Sequence, residues 1–532
     1  MADYDVVVRN GLIYDGSGGP PYRGDVAIVG DRIAAVGDVT SDGRVEIDVK
    51  GLAVSSGFTN MLSWANVSLI HDGRSQSDIR QGVTLEVLGE NFSMGPLNDA
   101  MRAEMVELQG DIKYDVAWTT LGEYLEHLER QGVSCNVTSF VGSEGVRIHE
   151  LGHENRPPTA SELERMRGLV RVAMAEGAVG LSSALIYAPA SYAQTDELIA
   201  LAEVVGEVDG LYISHIRSEG DAIFEALDEF FTICREAHVR GEIYHLKLSG
   251  KPNWDKIDRV IATIEAQQKA GLPVTADMYT YTASSTGLDA TLPGWVHEGG
   301  HKAMVARLKD PSLRAHLIDE ITRYKEVDAA EDTILVGFKN PALKPLIGKS
   351  LAEVAALRGQ SPQETVIDLI AEDDSRVQAV FFSMPEDNVR RQIALPWVAF
   401  DSDAGSYATE GLFLKNSTHP RAYGTFARLL GRYVRDERII PLEEAVRRLT
   451  SFPAANLKIE GRGRLAAGYF ADVVVFDPAT IQDHATYNDP HQYATGVAHV
   501  FVNGVQVLRD GEHTGAKPGR VVRGPGWRGD QR

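Results

Sequence analysis

Cysteine is scarce in this chain: Cys135 and Cys234 are the two thiols among 532 residues. That excludes a disulfide framework and a cysteine-based zinc cluster. Basic charge is also short, with 53 Lys and Arg against 75 Asp and Glu and a formal charge of −22. Phosphate surfaces need a local excess of Lys and Arg, so neither a nucleic acid nor an anionic membrane is expected as a partner. A local basic pocket for a small carboxylate stays compatible with that balance. No run approaches the ~18 uninterrupted apolar residues of a membrane span. The opening MADYDVVVRNG puts Asp3 and Asp5 where a secretion signal needs a basic and then an apolar stretch, so a cytoplasmic location is expected. No GxGxxG fingerprint follows an early strand, which disfavours dinucleotide binding. Residues 57–64, GFTNMLSW, contain no histidine.

What is present is an ordinary globular composition, 43% hydrophobic and 24% charged. The length allows roughly three domains, or one barrel with insertions. The first 56 residues are short alternating runs broken by glycines, a small β module. The C-terminal FADVVVFDP and VAHVFVNGVQVLRDG look alike, with Asn503-Gly504 as a two-residue hairpin turn. Neither end has strands enough to close a sandwich alone, so residues 1–56 and 461–532 are expected to pair into one β-sandwich. Between them, 57–460 alternates strands with helices. LYISHI precedes a helical stretch, EIYHLKLSG precedes another, and TASELERMRGLVRVAMAEG opens with a capping box of Thr159 and Glu162. Such units call for parallel strands with right-handed crossovers, so the fold class is α/β. A (β/α)8 TIM-type barrel leads and an open doubly wound sheet is the alternative. Polar, helix-prone residues 287–345 interrupt the rhythm and read as an insertion over the mouth.

Chemistry in a barrel collects at the C-terminal strand ends. His215 ends LYISHI and His245 ends EIYH, one strand–helix unit apart. Two converging imidazoles suit zinc; the bland reading of each is a core or surface histidine. The apolar WVAFDSDAG runs into Asp401 and Asp403, where a carboxylate can bind metal or shuttle a proton to a leaving amine, or merely cap a turn. In TLEVLGENFS, Glu86 and Glu90 share one face, and Glu90 at the strand end is the candidate for a third, anionic ligand. An acidic residue in solvent is the competing reading.

These motifs, with IRQGVT, GAVGLSSALIYAPASYAQTDELIAL, SHIRSEG, YHLKLSGKPNW, DMYTYTASST, HPRAYGTFARLLGRYVRDE and GRGRLAAGYFADVVVFDP, resemble the amidohydrolase superfamily nearly end to end. Within it, SHIRSEG followed by HLKLSGKPNW and HPRAYGTF resembles the N-acyl-D-amino-acid deacylases. The resemblance implies a zinc-dependent hydrolase of amide bonds in N-acyl amino acids, with the D enantiomer expected and one zinc ion. It implies His215 and His245 as zinc ligands, Asp403 as the catalytic carboxylate, and Lys247, Tyr279 and Arg421 near the substrate carboxylate. Structural salt bridging is the alternative for that last group. Tyr187 and Trp64 join them as substrate-lining positions, and a homo-oligomer is compatible with the family.

The chain departs from the family pattern twice. GFxDxHxH is replaced by GFTNMLSW, so Leu62 and Trp64 stand where histidines are usual, which predicts an apolar side to the pocket. The zinc-binding cysteine of the deacylases falls by position on Asn91, with Glu90 one residue earlier. A Glu90–His215–His245 site with an open position would still form a catalytic zinc centre. Two other readings stay open: an amidohydrolase of cyclic amides, small peptides or another amide metabolite, and a metal-free binding protein on the same scaffold.

Overall fold

The structure, a computed structural model, describes residues 2–323 and 327–529. Strands from both ends of the chain are hydrogen-bonded into one nine-stranded sheet. Its junction is Ala53–Ser56, parallel to Tyr4–Tyr14 on one side and antiparallel to Val473–Phe476 on the other. Side chains of successive strand residues point to opposite faces. Accordingly Val473 and Val475 join an apolar cluster with Val8, Ile13, Val26 and Val54, while Val474 and Phe476 join the main core. The Asn503-Gly504 hairpin forms as expected: Val502 pairs with Val505, and both turn residues have positive φ, 49° and 79°.

The middle of the chain supplies parallel strands separated by helices. Phe58–Asn60, Val83–Leu88 and Asn136–Ser139 form one parallel group. Val141–Gly142, Gly180–Ala184, Leu211–His215, Arg240–Ile243 and Val274–Ala276 form a second. The groups touch where Val179 N–H donates to Ser139 O at 3.0 Å. The expected strand at WVAFDSDAG is not a regular strand. It pairs through isolated parallel bridges, Val398 with Ala276 and Ala404 with Ser63. The intervening helices bury one stripe each: Ile223–Glu236 buries Ile223, Ala226, Leu227, Phe230, Phe231 and Cys234 against the strands. The Thr159–Glu162 capping box forms as read, with Thr159 N–H donating to Glu162 Oε2 at 2.7 Å.

Residues 284–381, which include the expected insertion at 287–345, hold a core of their own. Ser284–Gly287, Gln378–Phe381 and Thr333–Gly337 form a small antiparallel sheet. Helices His301–Leu308, Arg314–Arg323, Leu351–Arg358 and Pro362–Asp373 cover it with Met304, Leu317, Val354, Val366 and Ile370. Residues 324–326 of the helix-prone stretch lie outside the described residues. Among the described residues no helix is long and apolar enough to cross a membrane. Both cysteines are buried free thiols.

Candidate metal centre

The chain places its chemistry at the C-terminal ends of the parallel strands. His215 is the last residue of Leu211–His215, and His245 follows Arg240–Ile243 by two residues. Glu90 follows Val83–Leu88 by two residues, through Gly89, whose φ of 95° turns the chain inward. A Cβ at Gly89 would lie 2.4 Å from Phe140 O, so glycine is required there. His245 and Asp403 themselves have positive φ, 33° and 44°. Left-handed backbone at non-glycine residues costs on the order of 1–3 kcal/mol each and persists where surrounding structure over-determines it.

Glu90, His215 and His245 are buried, and one potential ligand atom from each lies within 4.8 Å of the others. Glu90 Oε1 is 3.4 Å from His215 Nδ1 and 3.3 Å from His245 Nε2. The two rings meet edge to face with centroids 4.5 Å apart. Neither ring nitrogen of His215 has a hydrogen bond to the described residues. A buried imidazole in that state is costly unless a cation or donor completes it. Two imidazoles and one carboxylate converging at strand ends are a catalytic zinc donor set. The residues fit the metal.

Asp403 faces this group from the bridged 397–404 run. Arg421 pairs with its Oδ2 at 2.8 Å, and the guanidinium carbon lies 4.5 Å from the ring centre of Tyr279. His419 accepts the Arg421 backbone N–H at Nδ1, and its Nε2 donates to Ala283 O, so it holds the start of the helix Arg421–Arg428 as a neutral ring. Lys247 does not stand free: its Nζ is 2.6 Å from Glu219 Oε1 and 2.6 Å from His245 Nδ1. Tyr187 packs edge-on to His215 and its hydroxyl meets Thr286 Oγ1 at 2.9 Å, which ties the metal side to the 284–381 segment. The Tyr279 hydroxyl is buried with no hydrogen bond to the described residues. All of this opens on a cleft of about 2290 Å³ between the strand ends and the 284–381 segment.

Burial pushes the Glu90 carboxyl up, but the facing His215 and then His245 outweigh it and hold the group well below the usual range. Glu219 is likewise raised by burial and brought low by the charges of His215 and Lys247. Burial and the Lys247 charge hold His245 down, yet Glu219 and Glu90 prevail and push it up to about 10. Asp403 is raised by burial against the opposing charge of Arg421. Below the metal site, Asp277 accepts the His245 backbone N–H and is pushed well up by burial and by neighbouring Glu242.

The structure therefore gathers Glu90, His215, His245, Asp403, Arg421, Lys247, Tyr187 and Trp64 around one cleft, and places Tyr279 behind it, buried against Arg421. It corrects the expectation of an apolar pocket side. Leu62 is fully buried in a core cluster with Leu85, Val87 and Tyr244. Trp64 presents a polar edge: its Nε1–H is 3.0 Å from Glu90 Oε2 and 3.1 Å from Asp403 Oδ1. Asn91 is turned away, bonding Glu144 and accepting the Ala184 N–H at 2.9 Å. Sequence reading passed over Glu219, although SHIRSEG carries it four residues after His215. It also passed over Arg376, an exposed cleft-lining arginine held by Asp289 at 3.0 Å and lying 5.1 Å over the Tyr187 ring.

The chain is similar to known proteins over nearly its full length. Residues 112–508 match the Amidohydrolase family. D-aminoacylase of Alcaligenes xylosoxydans xylosoxydans is 34% identical over 524 residues, 98% of this chain and 97% of that enzyme. A D-aminoacylase structure solved to define the role of its binuclear metal centre, with one-metal activation and second-metal attenuation, superposes with a TM-score of 0.82. It is 33% identical and covers 98% of this chain and 100% of that one. The N-acyl-D-glutamate deacylase of Bordetella bronchiseptica, solved with zinc and a phosphonate mimic of the tetrahedral intermediate, gives a TM-score of 0.80. Its identity is 30%, over 98% and 99% of the two chains. With a buried carboxylate–imidazole centre at its strand ends and full-length likeness to both enzymes in sequence and α/β fold, the chain belongs to the amidohydrolase family.

Proposed function

We propose that this chain is a zinc-dependent deacylase that hydrolyses the amide bond of N-acyl-D-amino acids to a carboxylate and a free amino acid. The observation that carries it is the convergence of Glu90, His215 and His245 opposite Asp403, on a chain alike end to end to D-aminoacylase. Zinc held by those three residues would supply Lewis-acid polarisation of the amide carbonyl and acidification of water. Asp403, fixed at Oδ2 by Arg421, takes the proton of the attacking water and returns it to the departing amine. Arg421, Lys247 and Arg376, which line the cleft, supply positive charge for the substrate carboxylate, with the Tyr279 ring supporting Arg421 and Lys247 from behind.

The hydrogen-bonded succession of parallel strands returns through the 397–404 run, where Met61 N–H donates to Phe400 O at 3.3 Å, and this supports a closed (β/α)8 barrel over 57–460. The apolar cluster enclosed by the terminal sheet supports a β-sandwich of 1–56 with 461–532.

The test is a panel of N-acyl amino acids in both enantiomers, with amine release followed on zinc-loaded protein. Release from D substrates and not from their L mirror images is expected. A protein that holds zinc yet releases amine from none of them overturns the substrate, and cyclic amides become the next class to assay.

A further inference from the structure

Between the two carboxylates of the centre, Glu90 and Asp403, stands a neutral ring. Trp64 Nε1–H is shared between Glu90 Oε2 at 3.0 Å and Asp403 Oδ1 at 3.1 Å. Each carboxylate has its other oxygen engaged: Glu90 Oε1 faces the two histidines and Asp403 Oδ2 faces Arg421. Backbone geometry holds the ring there. Ser63 N–H donates to Val87 O at 2.8 Å, Trp64 N–H to Ala404 O at 3.0 Å, and Asp403 N–H to Leu62 O at 3.0 Å. The 62–64 segment is thus laced both to the strand end before Glu90 and to the bridged run that carries Asp403.

Two anionic oxygens this close to one point require a donor or a cation between them. Where the bridging residue can ligate, a second metal ion is the ordinary solution. Indole N–H is a donor only and carries no lone pair for a metal. Leu62, two residues before on the same run, adds no ligand and is fully buried. Resting on the zinc site described above but not on the substrate, we infer that Trp64 is a positioning residue that takes the place of a second metal ion. It limits the centre to one ion and fixes Glu90 and Asp403 relative to each other. The D-aminoacylase structure whose binuclear centre shows second-metal attenuation marks the contrast: this chain is insensitive to excess zinc at that position.

Metal stoichiometry tests it without recourse to activity. Full-length protein stripped with chelator is dialysed against a large molar excess of zinc, and bound metal is measured by elemental analysis. Wild type is expected to hold one ion per chain, and Trp64→His, which places a ligand between the carboxylates, two. In Trp64→Phe, kcat falls roughly 10-fold, the effect of losing a hydrogen bond to a charged group, with KM unchanged. Two ions on wild type overturn the inference and leave the deacylase reading standing, whereas no ion on wild type overturns both. A Trp64→His protein that still takes one ion removes the indole as what sets the limit. A Trp64→Phe protein with unchanged kcat removes its positioning role.

Discussion

Glu86 and Glu90 lie four residues apart on one strand and its continuation, and both are buried, at 0% and 4% exposure. Their protonation is opposite. Glu90 meets two imidazoles and an indole N–H and is held well below the usual carboxylate range. Glu86 meets the Asn60 amide at 3.1 Å, and burial followed by the charge of Asp78 pushes it well above that range. The same division runs through the molecule. Glu219 beside His215 and Lys247 is low, while Glu242, packed against Thr275 and Asn456, is pushed up to about 8 by burial. Depth alone does not make a carboxylate an anion; a cationic partner does. The strand ends are where this chain supplies such partners, and the interior beneath them supplies amides and hydroxyls. Asp403 lies between the two classes, raised by burial but paired with Arg421.

That contrast can be broken at four points. Asp403→Asn keeps the hydrogen-bonding shape and removes the base, so kcat should fall by about 10²–10⁴-fold with bound zinc retained; single-turnover assays beside metal analysis decide it. Glu90→Gln removes the anionic ligand. Since outer-shell partners of a metal alone cost 10–100-fold, zinc affinity should drop by at least about 100-fold in competition with a chelator. Glu242→Gln addresses the neutral class through stability. Below the unfolded value of 4.5 both states keep the proton and Glu242 adds no pH dependence. As pH rises from 4.5 to about 8 the unfolded chain ionises while the folded one does not, so stability is lost through that window and then levels off. Thermal melts should therefore show the variant level with wild type at the acid end and above it at the alkaline end, by on the order of 2 °C for each kcal/mol recovered. Glu86→Gln should matter least to the centre, changing zinc affinity and kcat by no more than about twofold, as expected of a site without shared partners. Zinc loss in Glu86→Gln to match Glu90→Gln would erase the comparison.

The centre was only partly legible. His215 and His245 were readable because alternating apolar runs locate strand ends, and strand ends in α/β chains share a mouth. The terminal sheet was readable from two sets of short strands too few to stand apart. The choice of Glu90 over Asn91 was not settled by alternation alone. Positive φ at Gly89 and Asn91 breaks the period of two, and Asn91 turns away to Glu144 and the Ala184 amide. Trp64 misled more: an aromatic residue in place of a histidine reads as apolar, yet its one polar atom is what faces the carboxylates. The 284–381 segment was visible as an interruption, but its C-terminal reach depends on Gln378–Phe381 pairing back onto Ser284–Gly287.

By itself the sequence determined the α/β alternation, the pairing of the two ends, the strand-end histidines with Asp403, and the family. These follow from local periodicity and residue chemistry, which neighbouring residues carry. Tertiary structure alone decided that Lys247 is bound to Glu219, that Arg421 pairs with Asp403, and that the Trp64 indole joins Glu90 to Asp403, 339 residues beyond the indole. A hydrogen bond is made over about 3 Å of space without regard to chain separation, so only the packed fold could choose those partners.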